Sequence, residues 1–211
     1  MISRPLKLGF LASANGSGAR AIVAAIRAGE LDAEGRLLVS NNRSSAALSF
    51  AVEAGVPALV IATQADPAAA DARLADEMAA HGVELIVMSG YLRQLGPRTL
   101  ARYAGRVLNI HPGPLPQFGG HGMYGRRVHE AVIAAGAAES GICIHLVDEE
   151  YDRGPVIARR SVPVLAGDTP EVLEARVRAL EPAFYVETLR RITEGAIALP
   201  RGAPFISDNL P

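Results

Sequence analysis

Five short apolar runs, each flanked by helix-forming segments, dominate the first half of the chain. This alternation constrains the fold more than any other feature. Residues 6–12, 36–40, 58–62, 85–88 and 107–110 read as strands, and 19–28, 46–54, 68–80 and 97–103 as the helices between them. Strand–helix–strand connections of this length form right-handed crossovers. The expected architecture is therefore α/β, a doubly wound and mostly parallel sheet. Ligands of such sheets sit at the carboxyl ends of the strands, so function belongs in the loops that follow them.

Beyond residue 111 the rhythm changes. Residues 112–125 are too rich in glycine and proline for regular structure and read as a long active-site loop. A helix over 126–135 ends at Gly136. Two alternating runs, 141–147 and 156–164, read as strands joined by the turn 148–155. Thr169 and Pro170 open a long helix that runs to about Glu194, with threonine as cap and proline in the first turn. The tail from Ala196 is broken by prolines and reads as surface.

No repeat or low-complexity linker divides the chain, and 211 residues that are 49% hydrophobic can bury a full core, so a single domain over 1–211 is expected. A net charge of −1 gives no reason to expect nucleic acid or membrane as a partner. No apolar run reaches the ~18 residues of a membrane helix, and the first residues lack a cleavable signal pattern. The single cysteine, Cys143, rules out an internal disulfide framework and reads as buried packing. A cytoplasmic setting is expected.

The most informative stretch is Val107-Leu108-Asn109-Ile110-His111-Pro112-Gly113-Pro114-Leu115-Pro116. Side chains alternate along a strand, so Asn109 and His111 share a face while Ile110 turns into the core. Asp152, in the turn between the last two strands, is a carboxylate suited to orient the imidazole and raise its proton affinity. Asn109 adds a neutral donor for developing oxygen charge. No serine or cysteine nucleophile lies in these turns, which favours direct attack by a substrate amine or water over a covalent enzyme intermediate.

The first loop, Asn15-Gly16-Ser17-Gly18, opens a helix after a strand, where free amide groups attract phosphate. It has neither the lysine of a Walker motif nor dinucleotide spacing, and a tight turn with Ser17 as helix cap accounts for it equally well. His111, His121, His129 and His145, with Asp148 or Asp152, are the candidate metal ligands. None has compact ligand spacing, so no metal is expected, and His145 in its alternating strand reads as a satisfied structural histidine. Arg126, Arg127 and Glu181 read, on their own, as solvated helix charges.

Asn109-Ile110-His111-Pro112, with Asp152 inside Asp148-Glu149-Glu150-Tyr151-Asp152-Arg153-Gly154-Pro155-Val156-Ile157, resembles the folate-dependent formyltransferases, and the resemblance spans roughly residues 6–195. It implies the Rossmann-like formyltransferase fold, 10-formyltetrahydrofolate as co-substrate, and Asn109, His111 and Asp152 as catalytic residues. The Asn15-Gly16-Ser17 loop and the absence of extra domains resemble the members that formylate glycinamide ribonucleotide in purine synthesis. On that resemblance Gly16, Ser17 and Gly18 hold the substrate phosphate, with Gly18 standing where the family usually has asparagine, and Glu181 binds the ribose hydroxyls.

Leu92, Arg93, Gln94 and Leu95 match the family segment that lines the pteridine pocket, and Asp148 and Tyr151 lie in the turn that matches the loop closing over the folate. Two departures are the sequence Pro112-Gly113-Pro114-Leu115-Pro116, where members often read Pro-Ser-Leu-Leu-Pro, and a longer 119–125 loop. The implied reaction is formyl transfer to the ribonucleotide amine. Alternatives are formyltetrahydrofolate hydrolysis, another folate-dependent formyl transfer, or a non-catalytic nucleotide- or folate-binding regulator. The expected partners are these small molecules, with the chain a monomer or homodimer.

Overall fold

A computed structural model of the protein describes residues 4–200. The elements run β1 (Leu6–Leu11), α1 (Ser17–Arg27), β2 (Ala33–Ser40), α2 (Ala46–Glu53), β3 (Ala58–Val60), α3 (Pro67–Ala80) and β4 (Leu85–Met88). They continue with α4 (Pro97–Arg102), β5 (Val107–His111), α5 (Arg126–Ala134), β6 (Glu139–Leu146), β7 (Val156–Pro163) and α6 (Pro170–Thr193). The part of the tail after Pro200 lies outside the described residues; before it, Leu199 packs against the core.

Among the described residues, seven strands form one sheet in the order β3-β2-β1-β4-β5-β6-β7. β1 to β5 pair in parallel, while β6 runs antiparallel to both β5 and β7. The connection from β6 to β7 is only the 147–155 turn, and a parallel crossover needs a dozen or more residues. β2 begins earlier than its apolar run suggests, because Ala33, Glu34 and Gly35 pair with Leu6, Lys7 and Leu8 of β1.

Alternation along the strands feeds two cores. Leu85 and Val87 of β4 pack with α1, α2, α5 and α6 on one face, whereas Ile86 and Met88 pack with Leu74 and Met78 of α3 on the other. Each strand buried on both sides reads as a continuous apolar run. Cys143 is buried as expected, at 3% exposure.

The start of α1 departs from the sequence reading. Ser17 is not its cap: Gly16 holds that position at φ 63°, ψ 44°, with no side-chain hydrogen bond of its own. The free amides of the first turn are met instead from β4's exit, where Ser89 Oγ accepts from Gly18 N at 3.0 Å and Ala19 N at 3.2 Å. A hydroxyl distant in sequence thus does what an adjacent cap does elsewhere.

Candidate active site

The carboxyl edge of β5 presents Asn109 and His111, and the antiparallel register of β6 sets His145 opposite Asn109 and Cys143 opposite His111. Residues opposed in an antiparallel pair project to the same face, so Asn109 and His145 meet. Asn109 Nδ2 lies 3.1 Å from His145 Nε2. Asp152 arrives from the 147–155 turn at φ 57°, the one positive φ outside glycine among the described residues. Aspartate is one of the few side chains that tolerates this conformation, and backbone strain of this kind clusters at functional sites.

Glycine makes the close approach possible. A Cβ on Gly154 would collide with the Leu146 carbonyl oxygen, and one on Gly119 would meet Leu115 Cδ2 and stand 3.0 Å from Asp152 Cβ. The long loop after β5 therefore reaches into the site with its backbone. Gly120 N donates to Asp152 Oδ2 at 3.1 Å, and His111 Nε2 donates to the Phe118 carbonyl at 2.7 Å. A carbonyl only accepts, so the neutral imidazole keeps its proton on Nε2 and turns the lone pair of Nδ1 toward Asp152 Oδ2, 3.4 Å away. The other oxygen, Oδ1, lies 3.4 Å from His145 Nε2.

The electrostatics follow from this packing. Burial pulls the His111 imidazole below its ordinary value, and the Asp152 charge and the Phe118 carbonyl oppose the shift without cancelling it. Burial pushes Asp152 up, but the neighbouring His145 and His111 and the Gly120 amide outweigh it and hold the carboxyl below the usual range. The site thus combines an amide donor, an ionised carboxylate and an imidazole whose free nitrogen can take up a proton.

Around it, the first loop leaves Ser17 exposed and Gly16 buried, while the Gly18 amide is occupied by Ser89. Arg20 braces this loop by donating to the carbonyls of Asn15 and Ala46, each at 2.9 Å. Ser13 Oγ donates to Asn41 Oδ1 at 2.6 Å and accepts from Leu92 N at 2.9 Å, tying the first loop to the segment after β4.

That segment borders a cavity of about 520 Å³ lined by Ile61, Leu74, Tyr91, Gln94, Leu95 and Glu149 among others. Gln94 Nε2 donates to the Glu149 carbonyl at 3.2 Å. Of the four residues matched to a pteridine pocket, Gln94 and Leu95 line the cavity; Leu92 and Arg93 are exposed and do not. Asp148 accepts from Glu150 N within its own turn, and Tyr151 stands edge-on to His121, ring centres 5.6 Å apart, so the turn and the long loop touch at their tips.

Glu181 is half-buried on α6, one turn before Tyr185, whose hydroxyl donates to the carbonyls of Met88 and Leu108. Its carboxyl is pushed up to about 7 by burial and further by Glu174, with Arg178 opposing. Arg126 is held by Glu171 at 3.0 Å and Glu174 at 3.1 Å. Among the described residues no group of three or more His, Cys, Asp or Glu side chains is arranged to hold a metal ion. The sequence reading missed His145, Ser89 and the backbone of Phe118 and Gly120 as parts of the site. The only advance signal was for His145, whose place in an alternating strand marked it as satisfied but not by what.

At the edge of β5 the chain thus presents a neutral donor, an imidazole and a carboxylate, with no nucleophile among them. The family model for formyl transferase matches residues 6–189, and the chain belongs to that family. It is 37% identical over 209 residues to the chloroplastic phosphoribosylglycinamide formyltransferase of Arabidopsis thaliana, covering 97% of this chain and 72% of that protein. The phosphoribosylglycinamide formyltransferase of Escherichia coli K12 is 33% identical over 198 residues, 93% of this chain and 91% of its own length. The crystal structure of glycinamide ribonucleotide transformylase 1 from Symbiobacterium toebii superposes with a TM-score of 0.84 at 32% identity, covering 94% of this chain and 92% of that one.

Proposed function

We propose that this enzyme transfers the formyl group of 10-formyltetrahydrofolate to the amine of glycinamide ribonucleotide. The observation that carries the reading is the convergence of Asn109, His111 and Asp152 at the carboxyl edge of β5 in a member of the formyl transferase family. The amine attacks the formyl carbon, and the carbonyl oxygen becomes an oxyanion. An N–H of Asn109 donates to that oxygen, the interaction that strengthens most as charge develops. His111 Nδ1 takes the proton shed by the attacking nitrogen and returns it to the departing folate nitrogen, while the Phe118 carbonyl fixes the ring. Asp152 stabilises the imidazolium formed in between.

The remaining roles follow the family resemblance. Gly16 and Ser17 at the start of α1 receive the phosphate, with the Gly18 amide already given to Ser89. Glu181 takes the ribose hydroxyls. The cavity bordered by Gln94 and Leu95, to which the 147–155 turn contributes Glu149, accepts the folate, and Asp148 and Tyr151 of the same turn close over it as in the family.

The test is absorbance-monitored turnover of 10-formyltetrahydrofolate with and without glycinamide ribonucleotide. Turnover that requires the ribonucleotide is expected. Equal turnover in its absence would mean that water is the acceptor and the chain is a hydrolase, and binding without turnover would make it a regulator.

A further inference from the structure

We infer that His145 is a positioning residue for Asn109, fixing by its acceptor nitrogen which way the catalytic amide faces. This rests on the formyl-transfer reading of the site. His145 is 2% exposed and opposes Asn109 across the β5–β6 ladder. Its Nδ1 lies 2.9 Å from the Leu146 carbonyl, which can only accept, so the ring proton sits on Nδ1 and Nε2 carries a lone pair. That lone pair takes one N–H of Asn109 at 3.1 Å.

An amide has one end that donates and one that accepts. With Nε2 as the acceptor, only the Nδ2 end can face His145, and the second N–H of the same nitrogen is then the donor left for the oxyanion. Turned the other way, the amide would set its oxygen against the lone pair of Nε2. Both orientations occupy nearly the same volume, so packing alone does not select between them; the acceptor does. The β6–β7 register slips between Ile144 and His145, which marks a local irregularity in the sheet at this residue.

A proton on Nε2 would reverse the arrangement, because the ring would then donate, and the acceptor in reach is Asp152 Oδ1 at 3.4 Å. The neutral ring is therefore the form that serves Asn109.

The experiment compares wild type, His145→Phe and His145→Gln, each also in an Asn109→Ala background, by formyl-transfer kinetics with both KM values measured. Phenylalanine keeps the ring volume and removes the acceptor; glutamine carries an amide oxygen at about the position of Nε2. His145→Phe is expected to lower kcat by roughly 10–100-fold with both KM values within about twofold, and His145→Gln to recover kcat to within about fivefold of wild type. In the Asn109→Ala background, His145→Phe should change kcat by less than about twofold, because its effect runs through the amide.

An unchanged kcat in His145→Phe, an equal fall in His145→Gln, or a full further loss in the Asn109→Ala background would overturn the assignment. His145→Leu replaces the phenylalanine variant if that one does not fold. Wild-type turnover that ignores the ribonucleotide would sink the functional reading instead, a result separate from any of these.

Discussion

Replacing Asp152 by asparagine removes a negative charge and little else. Asparagine has nearly the same volume, accepts the φ of 57° found here, and can turn its oxygen to the Gly120 amide. What is lost is the attraction between the carboxylate and a proton on His111 Nδ1, 3.4 Å away. Two unit charges at that distance interact by about 1 kcal/mol with the screening of bulk water and about 5 kcal/mol at an effective dielectric of 20. The two side chains are 3% and 11% exposed, which places the pair in the upper part of that range.

At about 1.4 kcal/mol per tenfold, Asp152→Asn should lower kcat by roughly 10²–10³-fold, with modest change in either KM. The pH profile moves as well. His111 already sits below its ordinary 6.5 because burial outweighs the Asp152 charge, and without that charge it falls further. The acid limb of kcat/KM, which reports loss of neutral His111, should lie below 6.5 in the wild type and shift to still lower pH in the variant. Initial rates followed by folate absorbance between about pH 5 and pH 8 read both effects. A kcat within about threefold of wild type, or a limb displaced toward higher pH, would refute the assigned role of Asp152.

Other sites give independent tests. Because the Glu181 carboxyl is raised to about 7, the folded chain retains a proton that the unfolded chain releases above its ordinary 4.5. Its stabilising contribution is full at low pH and is lost as pH rises through about 7. Glu181→Gln should therefore raise the melting temperature near pH 8 by about 2–4 °C, give no gain below about pH 4.5, and raise KM for the ribonucleotide; scanning fluorimetry at the two pH values checks the first part.

Gly119→Ala forces a methyl against Leu115 and Asp152, so a loss of about 1–3 kcal/mol in urea melts and a fall in kcat are expected together. Ser89→Ala strands the amides of Gly18 and Ala19, at a cost of about 1–2 kcal/mol in thermal stability; it should also raise KM for the ribonucleotide while leaving that for the folate in place.

What could be read from the sequence followed local chemistry. The strand–helix alternation gave the sheet, and the two-residue spacing of Asn109 and His111 gave their common face because strand periodicity is a property of the chain itself. Asp152 was suggested by its turn and then by the family resemblance, but its left-handed backbone and its seat against Gly120 depend on how two loops fold over each other.

His145 reads alone as a satisfied histidine, and it is satisfied; that its partner is Asn109 depends on the antiparallel register of β5 and β6, which nothing local encodes. Ser17 looked like a helix cap because serine caps helices, yet Gly16 takes a left-handed φ and Ser89 supplies the oxygen from the far end of β4. In the segment after β4, the turn buries Leu95 and exposes Leu92, Arg93 and Gln94, a pattern no local run of the sequence encodes. Contacts between distant segments account for each of these differences.

On the geometry at the edge of β5, the Asn109 amide drives formyl transfer to an amine. The most direct measurement is the amount of formylated glycinamide ribonucleotide formed from 10-formyltetrahydrofolate, quantified by mass spectrometry for wild type and Asn109→Ala side by side. One formylated product per folate consumed is expected in the wild type, and a rate lower by roughly 10²–10³-fold in the variant with both KM values little changed. Formylated product arising from Asn109→Ala at a rate near that of wild type would contradict it.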